Sequence, residues 1–311
     1  MRRTAIDLYD GPTTIGIDVS AHQGRIGWAR VARSEAVFHG QRLGPVRYAI
    51  IRAADGIQTR RDSRPDPMAV RNLTQAAEAG IEHLAVYLYL RAYHPADEQL
   101  ELVLDVIRTA GVPVGWLGID VEGRPDDPTT PNTDESHGAW YVPDGVEGPV
   151  STADVLADVL EVARGARRAG LRPVVYTGQS WHWHVAQRGL APPARELGDL
   201  WVPWYGRAAA PRLPVGPAGQ PAPWGTWTLW QFAGSSAHPG RVAGIDGAVD
   251  LNRFRGDEDA LRSWWAGERA SERPPSRVLE ESVDEVLEIA QRLKAAHPEV
   301  ARRLVEAVAK G

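Results

Sequence analysis

The sequence predicts an α/β protein built as a closed barrel, in which five strand-helix units precede three strands with no helix between them. Three observations point there. Short apolar, β-branched runs alternate with stretches of helical period as far as Arg188. Proline tends to open those helical stretches and glycine to close them, the asymmetry that helix ends favour. Beyond Arg188 the helical period stops, while strand-like runs continue between proline-rich loops. Eight strands in this order read as a TIM-like irregular barrel, with a small helical appendage at the C-terminus.

The first strand covers residues 14–20 and stays apolar until Asp18, near its end. Residues 28–37 read as a short helix, with Ile26 and Trp28 packing inward. The second strand, 46–54, stops at the turn signal Asp55-Gly56. After a polar loop at 58–66, a helix opens at Pro67, runs to Ala79 and is closed by Gly80. The third strand is 84–90. The helix from Pro95 carries Asp97 and Glu98 in its first turn, where they complement its dipole, and ends before Gly111. The fourth strand approaches through the apolar run 112–117 and ends on Gly118-Ile119-Asp120-Val121-Glu122-Gly123. Ser151 or Thr152 caps the next helix, in which Val155, Leu156, Val159, Leu160 and Ala163 recur at helical spacing and Gly170 is the stop. The fifth strand is 172–177, and a short, tryptophan-rich helix follows at 179–188. The last three strands are 200–205, 226–232 and 247–251.

At 311 residues the chain has room for one barrel-sized domain and a small extra piece. Its 24% charged and 43% hydrophobic residues are ordinary for a globular protein. A net charge of -5 and the lack of a basic stripe argue against nucleic acid as a partner. Without cysteine, neither disulfides nor thiolate metal sites contribute. Asp7 and Asp10 interrupt the N-terminal apolar residues, so no Sec signal is expected. No apolar run approaches the ~20 residues of a membrane helix, so no membrane insertion is expected. Twelve tryptophans against three phenylalanines suit carbohydrate handling, because indole rings stack on sugar faces, though they also fill cores.

Side chains two apart on a strand share a face, so Asp120 and Glu122 project together from the carboxyl end of the fourth strand. Two carboxylates so close do not both ionise cheaply, and one holding its proton serves as a general acid of the kind glycoside cleavage needs. Asp18 on the first strand and Asp250 on the eighth, neighbours in a closed barrel, bring further carboxylates to the same mouth. Singly, each of these two also fits a turn or cap role. Tyr87, Tyr89, Tyr176, Trp204, Tyr205 and Gln231 fall on strand segments near that rim, either as glycan contacts or as core filling.

These residues resemble a known family. Gly16-Ile17-Asp18-Val19-Ser20 with Gln23-Gly24, Tyr48-Ala49-Ile50-Ile51-Arg52-Ala53, Ala79-Gly80-Ile81, Gly118-Ile119-Asp120-Val121-Glu122, Tyr176-Thr177-Gly178, Leu200-Trp201-Val202-Pro203 with Tyr205, Trp230-Gln231-Phe232 and Val249-Asp250-Leu251-Asn252 are similar to the ordered motifs of the glycoside hydrolase family 25 lysozymes, the muramidases that include many phage endolysins. The likeness spans residues 14–254. It implies hydrolysis of the β-1,4 bond between N-acetylmuramic acid and N-acetylglucosamine in peptidoglycan glycan strands, without metal or cofactor. On the family pattern Glu122 is the general acid and then the base, and Asp120 assists the 2-acetamido group. Asp18 and Asp250 match further acidic positions that fix the sugar and tune Glu122. Substrate assistance is the mechanism favoured by two acids on one side of the bond; direct attack by water or by another carboxylate such as Asp250 stays open. A non-catalytic wall-binding or phage structural protein that grips glycan is the rival reading.

Where the family commonly shows Tyr-His-Phe, this chain has Tyr87-Leu88-Tyr89, so a polar contact is either absent or replaced by Arg91 or His94. The long polar segment 124–149, with Trp140-Tyr141 in its midst, is expected to form a flap over the cleft. Residues 1–267 are thus assigned to the barrel, 268–277 to a linker and 278–311 to a helical segment with apolar steps of three and four. That segment packs on the barrel, contacts the wall or self-associates. The enzyme is expected to be made in the cytoplasm and to reach the wall by a holin-type or other non-Sec route.

Overall fold

A run of strands separated by amphipathic helices has one economical way to bury both faces of its sheet, and the chain takes it. In the computed structural model residues 11–55, 64–123, 135–141, 150–205, 222–234 and 238–266 are described, with Arg302 and Val305 singly. The chain runs through β1 (Thr13–Val19), α1 (Trp28–Val31), β2 (Glu35–Phe38), β3 (Gln41–Asp55), β4 (Arg64–Pro65), α2 (Ala69–Glu78) and β5 (His83–Tyr89). Next come α3 (Ala96–Ala110), β6 (Trp116–Asp120), α4 (Thr152–Arg168), β7 (Arg172–Tyr176) and α5 (Gln179–Trp181), which passes into a π turn (His182–Ala186). The last elements are α6 (Ala194–Leu197), β8 (Asp199–Pro203), β9 (Leu229–Ala233), β10 (Gly240–Arg241), β11 (Asp250–Arg255) and α7 (Glu258–Ala266).

Seven strands, β1, β3, β5, β6, β7, β8 and β9, are parallel neighbours in that order. The eighth, β11, closes the ring by pairing antiparallel with both β9 and β1. The result is the irregular TIM-like barrel. Alternation along each strand sends one set of side chains into the lumen, where Tyr48, Ile50, Trp116, Val174, Tyr176, Trp201 and Phe254 form one buried cluster. The other set, including Ile17, Val19, Ile51, Ile119 and Val175, packs outward against the helices in the larger core. Gly16 makes room for the bulky lumen: a Cβ there would lie 2.2 Å from the Tyr48 ring. At the amino end of the parallel strands α7 forms a floor, with Trp265 5.7 Å from Trp116 and 5.1 Å from His83, ring to ring.

Helix ends follow the expected chemistry. Ser151 is the cap of α4, accepting from the Asp154 N–H while the Asp154 carboxylate accepts from the Ser151 N–H, and Gly111 ends α3 in the left-handed conformation. Two expectations need correction. Residues 28–37 are not one helix: α1 stops at Val31, and residues 35–38 form β2, whose Ala36 and Phe38 are buried by pairing with β3. Long-range pairing overrides the local helical spacing there. The final strand lies at 250–255 rather than 247–251 and runs against its neighbours, because residues 243–247 turn the chain back and Val249 then pairs with Gly240. The helix α7, with Leu261 buried beneath the barrel, was not anticipated. The linker at 268–277, nearly all of the helical segment at 278–311, and residues 124–134 and 142–149 of the expected flap lie outside the described residues. No described helix is long and apolar enough to cross a membrane.

Candidate active site

The acids meet at the mouth formed by the carboxyl ends of the parallel strands. Asp120 is the last residue of β6, and the strand-like alternation continues because the Val121 N–H donates to the Tyr176 carbonyl at 2.9 Å. Val121 points outward and is buried; Asp120 and Glu122 share the lumen side. Asp18, near the end of β1, pairs in register with Asp250, the first residue of β11. The reversed direction of β11 explains how Asp250 reaches the mouth from the beginning of its strand.

Burial dominates the electrostatics. Asp120 is 6% exposed, and its Oδ1 has no hydrogen-bond partner among the described residues. Desolvation, then the charges of Glu122 and Asp18, push its carboxyl well above the usual range, against the pull of Arg91. Glu122 is half-buried; desolvation raises it too, but a hydrogen bond from Tyr176 holds it back. Burial thus raises both carboxyls of the pair, and the charge of either one strengthens the other's hold on its proton. Asp250 is pushed up to about 9 by burial, by the charge of Asp18 and by donating its proton in a hydrogen bond to Asp18. Asp18 is raised by burial, offset in part by three donors: Gln231, Asn252 and Asp250.

A hydrogen-bond chain links the two acid pairs. Asp18 Oδ2 accepts from Gln231 Nε2 at 2.9 Å and from Asn252 Nδ2 at 2.6 Å, while Asn252 Oδ1 accepts from Trp201 Nε1 at 2.7 Å. With its amide fixed in that sense, Gln231 turns Oε1 to the phenols of Tyr205 and, at 2.7 Å, Tyr176. Tyr205 supplies one donor to Oε1, so the single phenolic hydrogen of Tyr176 is shared between Gln231 and Glu122. Positive charge comes from the β3 and β5 sides. Arg52 Nε donates to Asp66 at 2.8 Å while its Nη1 faces Asp55 at 3.5 Å, and Arg91 Nε lies 3.3 Å from Asp55.

Of the six side chains expected to contact glycan, Tyr176, Tyr205 and Gln231 join this network, and Gln231 is buried with both ends of its amide engaged. Tyr89 is half-buried beside Glu122 and Asp120. Tyr87 lies deeper in the lumen, edge-on to Trp201 at 6.1 Å. Trp204 is not gathered with them; it packs against the outer core. Sequence reading missed Asn252 and Asp55. The alternation of polar residues Asp250 and Asn252 was the signal for the first; Asp55 carried none beyond a turn. Arg91, one of two residues weighed as replacements for the family's polar contact, proves to be buried, and its charge acts on both Asp120 and Glu122. Among the described residues no group of three or more His, Asp or Glu side chains is placed to hold a metal ion.

A barrel whose mouth gathers four carboxylates, two of them two residues apart where β6 ends and raised by burial, holds groups of the kind that acid-assisted cleavage of a glycoside uses. The chain belongs to family 25 of the glycosyl hydrolases, whose family model matches residues 17–241. It is 29% identical over 252 residues to lysozyme M1 of Streptomyces globisporus, a match covering 79% of this chain and 69% of that one. Among solved structures, a family 25 glycosyl hydrolase from Bacillus anthracis aligns with a TM-score of 0.55 at 18% identity, over 85% of this chain and 98% of that one. A lysozyme from Streptomyces coelicolor aligns at 0.54 and 23% identity, over 83% and 100% of the two chains. These likenesses show the fold; the family match makes the chain a glycoside hydrolase of the lysozyme type.

Proposed function

We propose that the enzyme is a muramidase, hydrolysing the β-1,4 bond between N-acetylmuramic acid and N-acetylglucosamine in peptidoglycan. Its membership of family 25 and its likeness to lysozyme M1 support that substrate. The observation that carries the mechanism is the Asp120 and Glu122 pair: two acids two residues apart where β6 ends, the first with a buried oxygen that has no hydrogen-bond partner among the described residues. In this reading that oxygen accepts from the N–H of the sugar's 2-acetamido group. The acetamido oxygen is thereby aligned for attack on the anomeric carbon while Glu122 protonates the departing oxygen. Glu122, now a carboxylate, takes a proton from the water that completes hydrolysis.

The electrostatics of the free site suit this sequence. A donor arriving at Asp120 favours its ionised form, and the new negative charge raises the hold of Glu122 on its proton, so substrate arrival itself arms the acid. The test is lysis of purified walls followed by borohydride reduction of the new ends. Wild type is expected to clear the suspension and yield reduced N-acetylmuramic acid, and Glu122→Gln to bind without clearing it. Reduced glucosamine ends would sink the bond assignment, and binding by wild type without any lysis would favour a protein that only grips glycan.

A further inference from the structure

The rim on the β5 and β6 side carries rings that the acid chemistry does not need. Tyr89 ends β5 next to the acids, and two residues on, the Arg91 guanidinium lies 4.2 Å from the Tyr89 ring centre and 5.7 Å from that of Tyr141. Tyr141 meets Tyr93 edge-on at 5.9 Å, and the Tyr93 ring is 4.2 Å from His94. With Arg91 as the link, the four rings form one connected group beside the acids. All four are half-buried, each keeping part of its surface open, whereas Arg91 is buried.

The group is built rather than incidental. Arg91 pairs with Asp55 at 3.3 Å and donates through Nη1 to the Gly138 carbonyl at 2.9 Å, tying the segment after β5 to residues 135–141. The Ala92 N–H donates to the Ala139 carbonyl at 3.2 Å, and fully buried Trp140 anchors the same segment. Tyrosines recruited only to fill space would be buried, as Tyr48 and Tyr176 are. Here a buried cation stacked on two rings holds them in place while part of each stays open. Such rings offer an apolar face to the C–H surface of a pyranose and a hydroxyl at the edge.

We propose that Tyr89, Tyr93, His94 and Tyr141 form a saccharide subsite that holds the β-1,4-linked aminosugar chain on one side of the cleavage point. This rests on the glycan-hydrolase reading above. The experiment measures affinity for purified, peptide-free peptidoglycan strands in the inactive Glu122→Gln background, and KM and kcat in the active one. Replacing Tyr93 and Tyr141 together by alanine is expected to weaken strand binding about tenfold and to raise KM by a similar factor, a loss that falls on KM rather than kcat. Phenylalanine at both positions, which keeps the stacking face, should recover most of that affinity. If the alanine pair melts without cooperativity, Tyr141→Leu alone is read the same way. Unchanged strand binding by a folded alanine or leucine variant overturns the subsite while wild-type lysis leaves the muramidase reading standing. Failure of the Glu122→Gln protein to bind strands, with no lysis by wild type, overturns both.

Discussion

Gly138 is the position where a single methyl group tests how Glu122, the proposed general acid, is held. Its backbone sits at φ 59° and ψ -122°, a conformation that residues with a Cβ avoid at a cost on the order of 1–3 kcal/mol. A Cβ built there would lie 2.2 Å from the Glu122 carbonyl oxygen, 2.5 Å from the Glu122 carbonyl carbon and 2.9 Å from the Gly123 nitrogen. Every one of those atoms is backbone, so relief requires the main chain around Glu122 to move by roughly 1 Å, from overlap to ordinary contact. The movement also disturbs two hydrogen bonds, Ala139 N–H to the Glu122 carbonyl at 2.9 Å and Arg91 to the Gly138 carbonyl at 2.9 Å. Each is worth about 1 kcal/mol, more for the charged one. Gly138→Ala should therefore destabilise this corner by about 2–5 kcal/mol while the distant barrel strands keep their packing. With Glu122 as the proton donor proposed above, a displacement of that size lowers kcat on the order of 10²-fold. Steady-state rates on solubilised glycan, with hydrogen exchange resolved along the chain, measure both effects. A variant with wild-type kcat and unchanged protection at residues 135–141 would refute the idea that this segment sets the position of Glu122.

Two further outcomes follow from the electrostatics. Removing the donor in Tyr176→Phe takes away the one interaction holding the Glu122 pKa down through a hydrogen bond, so the alkaline limb of the kcat/KM profile should move to higher pH; a downward shift would contradict the assignment. Asp250 holds its proton to about pH 9 in the fold but only to about 3.9 unfolded, so the native state binds the extra proton throughout that window, and stability is full below it and declines as pH rises across it. Thermal melts of wild type should fall between pH 5.5 and 8.5, and Asp250→Asn, whose amide donates to Asp18 without titrating, should fall less; a steeper fall in the variant would reject the shared proton.

Much of the site was legible because period-two spacing survives any error in strand ends: Asp120 and Glu122 share a face wherever β6 is taken to begin. Asp18 and Asp250 were legible for a weaker reason, their position at strand ends that a closed barrel makes adjacent. The direction of β11 was not, since only pairing with β9 and β1, both far away in sequence, reverses it. Gln231 shows the limit of reading a polar side chain as a ligand contact: with Asp18 at one end of its amide and two phenols at the other, its hydrogen-bonding capacity is engaged inside the protein. Nothing local marked residues 35–38 as a strand either, because Trp28 and Val31 begin a helical period that stops only where β3 offers backbone partners.

The reversed closing strand also sets the end of the barrel on which α7 finishes. Because β11 descends from the mouth, α7 lands beneath the barrel, with Trp264 and Trp265 set against Trp116. Ala266 and the four acids thus lie at opposite ends of the barrel, and the helix that seals the floor takes no part in the opening.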